Sequence, residues 1–273
     1  GLGKTFSQLE WANQVVKRTF QPVLILAPLA IVDQTIREGV KFGYEVGKLD
    51  ANELPSERMI YIINYDQLKN IDCSVYSGVV LDESSILKGR DGKMSSLILE
   101  SFKNTPYKLC CTATPSPNDH MELGQHSEFL GGMSYLEMLA MFFVHDGGET
   151  SKWRLRKHAK DAFWKYVSSW SMAIDTPASL GFCDEGYILP EIEYIEHIIK
   201  VENLSENLFG DVAVSATDLH KDLNRSFDAR LETAIDIVNK LDKQCIVWGL
   251  KNNETDLISK RLDNCVNVQG SDS

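Results

Sequence analysis

The stretch Gly78-Val79-Val80-Leu81-Asp82-Glu83, GVVLDE, decides the fold class. Its apolar part does not alternate with polar residues, and such a run of strand length suits a strand covered on both faces, as in a parallel sheet. Two acidic residues, Asp82 and Glu83, stand where that strand should end. Open α/β sheets build their sites at this edge. Working outward, comparable runs occur at VLILAP (Val23 to Pro28), at Met59 to Ile63 and at Tyr107 to Cys111. A helix-like stretch, Ile31 to Val40, follows the first of them. Ahead of it, Phe6, Leu9, Ala12, Val16 and Phe20 recur at steps of three and four, which predicts an amphipathic helix ending near Gln21-Pro22. Strand and helix alternate, so the expected class is α/β, a doubly wound parallel sheet with right-handed crossovers.

The chain opens on GLGKT, residues 1 to 5, the latter part of a phosphate-binding loop of the form GxxxxGKS/T. Glycines in such a loop let consecutive backbone N–H groups converge on anionic oxygens at the positive end of a helix. Gly1 and Gly3 would line the loop, Lys4 would reach the β- and γ-phosphates, and the Thr5 hydroxyl would bind Mg²⁺. Asp82 would hold the same Mg²⁺ and its water, and Glu83 would orient and deprotonate the water that attacks the γ-phosphate. Each signal is weak alone; a GKT-initiated helix followed by a buried strand ending in Asp-Glu makes nucleotide hydrolysis the favoured chemistry. A third segment, CTATPSPND, follows the next apolar run, and Thr112 and Thr114 would either link the γ-phosphate site to a second domain or form a capped turn.

Composition sets bounds around this reading. The 273 residues are 43 % hydrophobic and 25 % charged, proportions of a globular chain with a core. A formal net charge of -11 excludes whole-surface attraction to a polyanion, so any nucleic-acid contact must be local. The six cysteines form no C-x-x-C pair and read as buried free thiols in a reducing, cytoplasmic compartment. No apolar run is long enough to span a membrane. The six histidines show no zinc-ligand spacing, and no serine stands in a G-x-S-x-G setting.

From about Gly131 the α/β rhythm stops, and residues 131–188 read as a linker or inserted helical segment. Phe163, Tyr166, Val167 and Trp170 share one helical face there, a packing stripe rather than a base-stacking platform. The same segment holds the clear basic cluster, Lys152, Arg154, Arg156, Lys157 and Lys160, which would either neutralise backbone phosphates or form a solvated face paired with nearby acids such as Asp161. After Pro190, apolar runs at Ile192 to Val201, Cys245 to Gly249 and Val266 to Val268 predict strands of a second α/β domain, with polar helices before Leu241.

GLGKT, LAP at Leu26 to Pro28, DESS at Asp82 to Ser85 and TATP at Thr112 to Pro115 resemble, in order, motifs I, Ia, II and III of superfamily-two helicases. DESSILKG and TATPSPND are similar to segments of Swi/Snf-like DEAD/DEAH-type ATPases, and the whole arrangement, with WRLRKHA and the later LGF and ILP, looks most like the helicase-like proteins of phages and prophages. The resemblance is strong over residues 1 to 119 and looser beyond. It implies a RecA-like P-loop lobe at 1–130, the linker at 131–188 and a truncated second RecA-like lobe at 189–273, with ATP and Mg²⁺ between lobes and DNA tracked across both. Pro28, Asn64 and Tyr65 would then lie on the nucleic-acid face, with Arg154, Arg156 and Lys157 as further contacts. Ser85 stands where a DEAH motif has His. Since arginine fingers are worth about 10³ to 10⁵ in rate and the chain stops before the motifs that carry them, these 273 residues are expected to bind ATP weakly and turn it over slowly. The implied function is an ATP-dependent DNA helicase or translocase. A P-loop regulatory switch that does not translocate, and an RNA helicase, are the alternatives.

Overall fold

The computed structural model describes residues 3–49, 59–89, 92–146, 149–199, 223–241 and 243–268. Helix α1 (Lys4–Thr19) leads to strand β1 (Val23–Ala27), helix α2 (Leu29–Lys41), and strands β2 (Val46–Lys48), β3 (Ile60–Asn64) and β4 (Gly78–Asp82). Helix α3 (Lys93–Ser101), strand β5 (Tyr107–Cys111) and helix α4 (Leu123–Phe129) follow. The five strands form one sheet in the order β2-β3-β1-β4-β5, and every pairing is parallel. The α/β class read from the alternation of runs is the class observed.

Why the central strands do not alternate in sequence is visible in what covers them. Leu24, Leu26, Val79 and Leu81 pack on one face with Ile98, Phe102 and Phe129 from α3 and α4. Val23, Ile25 and Val80 pack on the other with Leu9, Ala12, Val15 and Val16 of α1 and Val32 of α2. Both faces exclude water, so both sets of positions gain about 1.5–3 kcal/mol per large side chain from being apolar. In register, Ala27 lies beside Asn64, Leu26 beside Leu81, and Asp82 beside Cys111, so the carboxyl ends of β1, β3, β4 and β5 share one edge.

Helix α1 differs in detail from its sequence reading. Its buried residues are Gln8, Leu9, Ala12, Val15 and Val16, whereas Phe6 is 44 % and Phe20 57 % exposed. The buried face is rotated so that a polar residue, Gln8, enters the core. Phe20 closes the helix in the left-handed region, φ 58°, with its N–H bonded to Val16 O, and so turns away from the sheet.

Between residues 131 and 188 the sequence predicts a helical insertion; the structure adds an antiparallel hairpin. Helix α5 (Tyr135–Phe142) runs into strands β6 (Phe143–Asp146) and β7 (Glu149–Leu155), then helix α6 (Lys160–Trp170). These pack around Met138, Phe142, Phe143, Phe163 and Val167, joined by Leu123 of α4. Phe163 is fully buried and Val167 nearly so, so the aromatic stripe is core packing.

The chain divides into two compact units, one up to Leu189 and one from Pro190. In the second, helices α7 (Phe227–Lys240) and α8 (Asn252–Arg261) pack through Leu231, Ile235 and Ile258, and a 2.8 Å Arg230–Glu254 ion pair joins them. The strands predicted at Ile192 to Val201, Cys245 to Gly249 and Val266 to Val268 do not form among the described residues, and Val201 lies outside them. Ile192, Ile246, Trp248, Val266 and Val268 are exposed instead. A strand is stable only when neighbours take up its backbone groups, and these segments pair with no strand among the described residues.

One smaller expectation also changes. The cysteines are all free, but Cys183, Cys245 and Cys265 are exposed rather than buried. No helix among the described residues is long and apolar enough to cross a membrane.

Candidate functional site

Helix α1 starts at Lys4, and Gly3 before it adopts φ 79°, ψ 29°. No atom would crowd a side chain there, so the left-handed backbone, rather than space, favours glycine. The first turn of α1 carries no acidic residue. Its leading N–H groups and dipole therefore present an uncompensated positive end, suited to an anion. Gly1, the other glycine expected in this loop, lies outside the described residues.

Seventy-eight positions on in sequence but adjacent in space, β4 delivers Asp82. Lys4 Nζ lies 2.8 Å from Asp82 Oδ1 and 3.3 Å from Glu83 Oε2. Asp82 is 2 % exposed, and its Oδ1 also accepts from Gln8 Nε2 at 2.9 Å. Gln8 follows Lys4 by four residues, so both side chains leave the same helix face. A carboxylate this deeply buried is tolerated only with a cation and donors against it. Burial disfavours charge on Lys4, but the hydrogen bond and charge of Asp82, then those of Glu83, outweigh it and raise the ammonium pKa above its usual value. One ammonium between two carboxylates leaves one negative charge uncompensated among the three.

Glu83 is held on several sides. Its Oε1 accepts from Thr112 Oγ1 at 2.6 Å and from Ser85 Oγ at 3.1 Å. Burial pushes its pKa up, and the Thr112 hydroxyl, the Lys4 charge and the Ser85 hydroxyl more than reverse this, keeping the carboxyl below its ordinary range. Its backbone sits in the left-handed region, φ 57°, ψ 55°, a conformation that costs a non-glycine residue about 1–3 kcal/mol unless its surroundings enforce it. Neighbours do enforce it. The Tyr65 hydroxyl donates to Asp82 O at 2.8 Å, and fully buried Ser84 meets His126 Nε2 at 3.2 Å. The other ring nitrogen of His126 lies 3.5 Å from Glu122 O on the same helix turn.

Among the described residues no cluster of three or more His, Cys, Asp or Glu side chains could hold a metal by itself. The donors here are hard oxygens, Asp82, Glu83 and Thr112. They fit Mg²⁺, which usually takes one or two carboxylates and completes its shell with phosphate oxygens and water.

No family model and no curated protein matches this chain. Among solved structures it is similar to the Sulfolobus solfataricus SWI2/SNF2 ATPase core in complex with dsDNA, at 22 % identity over 52 % of this chain and 32 % of that chain, with a TM-score of 0.45. This chain therefore spans about a third of that structure's length.

The remaining sequence-predicted residues divide. Lys4, Asp82, Glu83 and Thr112 meet; Thr5 lies half-buried in the first turn of α1 beside Lys4. Thr114 is exposed, and its backbone N–H donates to Thr112 Oγ1 at 3.0 Å. Pro28 precedes α2, and Asn64 caps the turn after β3 by accepting from Gln67 N, both on the sheet edge that carries Asp82. Tyr65 is a correction: it is buried against the core with its hydroxyl on Asp82 O, so it offers no face to nucleic acid. Arg156 is a second. Its guanidinium donates to Ala140 O and Met141 O at the C-terminal end of α5, where it satisfies helix carbonyls. Arg154, Lys157 and Lys160 are exposed, and the side chain of Lys152 lies outside the described residues. Gln8, Ser84 and His126 were not legible as site residues. For Gln8 the i, i+4 spacing from Lys4 was the available signal and for Ser84 its place within DESS; His126 had none, since the fold alone brings it to Ser84.

Proposed function

We propose that the protein binds ATP between the α1 N-terminus and the end of β4, hydrolyses it, and couples that hydrolysis to movement on duplex DNA. The observation that carries this reading is the bridging of Asp82 and Glu83 by Lys4, at 2.8 and 3.3 Å. A triphosphate site needs all three groups in one place, the ammonium for the phosphates and the two carboxylates for the metal and the attacking water.

On this reading Lys4, 39 % exposed on a flexible stem, leaves the carboxylates for the β- and γ-phosphate oxygens while the α1 N–H groups cradle the chain. Asp82 and the Thr5 hydroxyl would hold Mg²⁺, which supplies charge neutralisation for the phosphates. Glu83, kept ionised by Thr112 and Ser85, accepts the proton of the attacking water. Thr112 thereby senses the protonation state and position of Glu83 and passes it to residues 112–119, which is the coupling role. Ser85, which stands where a DEAH motif has His, bonds the same Glu83 oxygen as Thr112 and so helps to hold the base in place. Pro28 and Asn64, and more distantly Arg154 and Lys157, serve the DNA face. We take residues 189–273 as part of a second lobe and the compartment as cytoplasmic.

The test is ATP hydrolysis measured with and without duplex DNA. Turnover that rises when duplex DNA is added is expected. Turnover that ignores DNA would replace translocation with a P-loop switch, and stimulation by RNA alone would replace the track.

A further inference from the structure

Phe6 breaks the pattern of its helix. Its neighbours in the apolar repeat, Leu9, Ala12 and Val16, are buried, yet Phe6 stays 44 % exposed one residue after Thr5. It is not alone: its ring centroid lies 5.1 Å from Phe42 at 72° and 6.1 Å from Tyr44 at 55°. Phe42 is itself 48 % exposed, with Lys41 Nζ 5.8 Å from its ring centre. Tyr44 is fixed from behind by donating to Glu10 Oε2 at 2.8 Å, and Glu10, four residues after Phe6, shares its helix face. The result is a braced aromatic surface open to solvent, beginning in the first turn of α1.

Helix geometry sets its direction. Lys4 and Gln8, four residues apart, both reach Asp82. Phe6, two residues and so about 200° from Lys4, lies on the opposite side of α1. A nucleoside triphosphate with its terminal phosphates at Lys4 and Asp82 would run across the helix start, and its base would leave the loop on the Phe6 side. We infer that Phe6, braced by Phe42 and Tyr44, is the platform on which the base of the bound nucleoside triphosphate stacks. This rests on the triphosphate reading of Lys4, Asp82 and Glu83, and adds to it the part of the ligand those residues do not touch. Stacking uses the face that every base has, so the platform favours nucleotides over bare polyphosphate without choosing strongly among bases.

The experiment compares equilibrium binding of Mg-ATP and of magnesium tripolyphosphate by calorimetry, carried into the millimolar range, for the whole chain and for Phe6→Ala and Phe6→Trp. The expected result is that the unaltered chain prefers ATP to tripolyphosphate. Phe6→Ala should then weaken ATP about tenfold, at the low end of what base–aromatic stacking contributes, without changing tripolyphosphate, and Phe6→Trp should retain ATP affinity. Equal affinity of the unaltered chain for the two ligands, with Phe6→Ala altering neither, overturns the platform and leaves the phosphate site standing. A parallel loss of both ligands in Phe6→Ala also overturns it, since the ring would then only shape the loop. Binding of neither ligand by the unaltered chain defeats the triphosphate reading and the platform with it.

Discussion

Tyr65→Phe removes one oxygen from the core and leaves the ring. Tyr65 is 7 % exposed, and its hydroxyl donates to the backbone oxygen of Asp82 at 2.8 Å. Because phenylalanine fills the same ring volume, no cavity opens, and the effect isolates the hydrogen bond. A net bond is worth about 1 kcal/mol, and leaving a buried acceptor unpaired costs about 1–3 kcal/mol, so the variant should lose about 2 kcal/mol. For a unit of this size each kcal/mol corresponds to about 2–4 °C, so the melting midpoint should fall by ~4–8 °C. The assay is urea and thermal unfolding followed by tryptophan fluorescence, with the denaturant slope m unchanged because the exposed surface is unchanged. Burial already pushes the phenol pKa of Tyr65 well above its usual value, so the hydroxyl is neutral throughout and the result should not depend on pH near neutrality. A variant as stable as the parent chain would refute the reasoning, since it would mean that the hydroxyl is solvated and the ring free to face nucleic acid.

Lys4→Ala should cost stability as well as nucleotide binding, because it strips Asp82 of its cation; about 1–2 kcal/mol is expected, less than the 3–5 kcal/mol of a fully buried pair because Lys4 is 39 % exposed. Adding Asp82→Asn should recover part of that loss in chemical denaturation, and no recovery would argue against the pair. Glu83→Gln should keep Mg-ATP affinity and lose turnover in a chain competent to hydrolyse; normal turnover would remove Glu83 from its role as base. Burial lowers the pKa of His126 below its ordinary value of about 6.5, so the unfolded chain takes up a proton first as pH falls. Stability should be full above about pH 6.5 and decline below it, and His126→Asn should flatten that decline measured by pH-dependent melting. Arg156→Ala should destabilise the α5 and hairpin region by about 1 kcal/mol through two lost carbonyl bonds, whereas Arg154→Glu should mainly flatten the salt dependence of DNA binding, read as the slope of log affinity against log salt.

How far the sequence carried depended on whether chemistry was local. The sheet was legible because β1 and β4 are covered on both faces and therefore read as unbroken apolar runs, Val23 to Ala27 and Gly78 to Leu81. The meeting of Lys4 with Asp82 and Glu83 was legible because strand order confines strand ends to one edge. Tyr65 was misjudged because its segment lies on that same edge, and nothing in INYDQL distinguishes a ring facing outward from one whose hydroxyl seeks a buried carbonyl. The carbonyl partners of Arg156 were not legible, because they are backbone oxygens of Ala140 and Met141, which a sequence does not display. The hairpin at Phe143–Asp146 and Glu149–Leu155 does not announce itself because its short strands are rich in polar and charged residues, among them His145, Asp146, Lys152 and Arg154, without a sustained apolar run. The strands expected beyond Pro190 rested on apolar runs alone, and a run such as Cys245 to Gly249 becomes a strand only if a neighbour accepts its hydrogen bonds.

On the proposed reading the ammonium of Lys4 and the carboxylates of Asp82 and Glu83 surround one magnesium-bound triphosphate. That reading is tested most directly by titrating Mg-ATP into the unaltered chain and into Lys4→Ala, with and without the metal. Saturable binding that needs Mg²⁺ and disappears in the variant is the expected result. Binding that is the same in both proteins would contradict it.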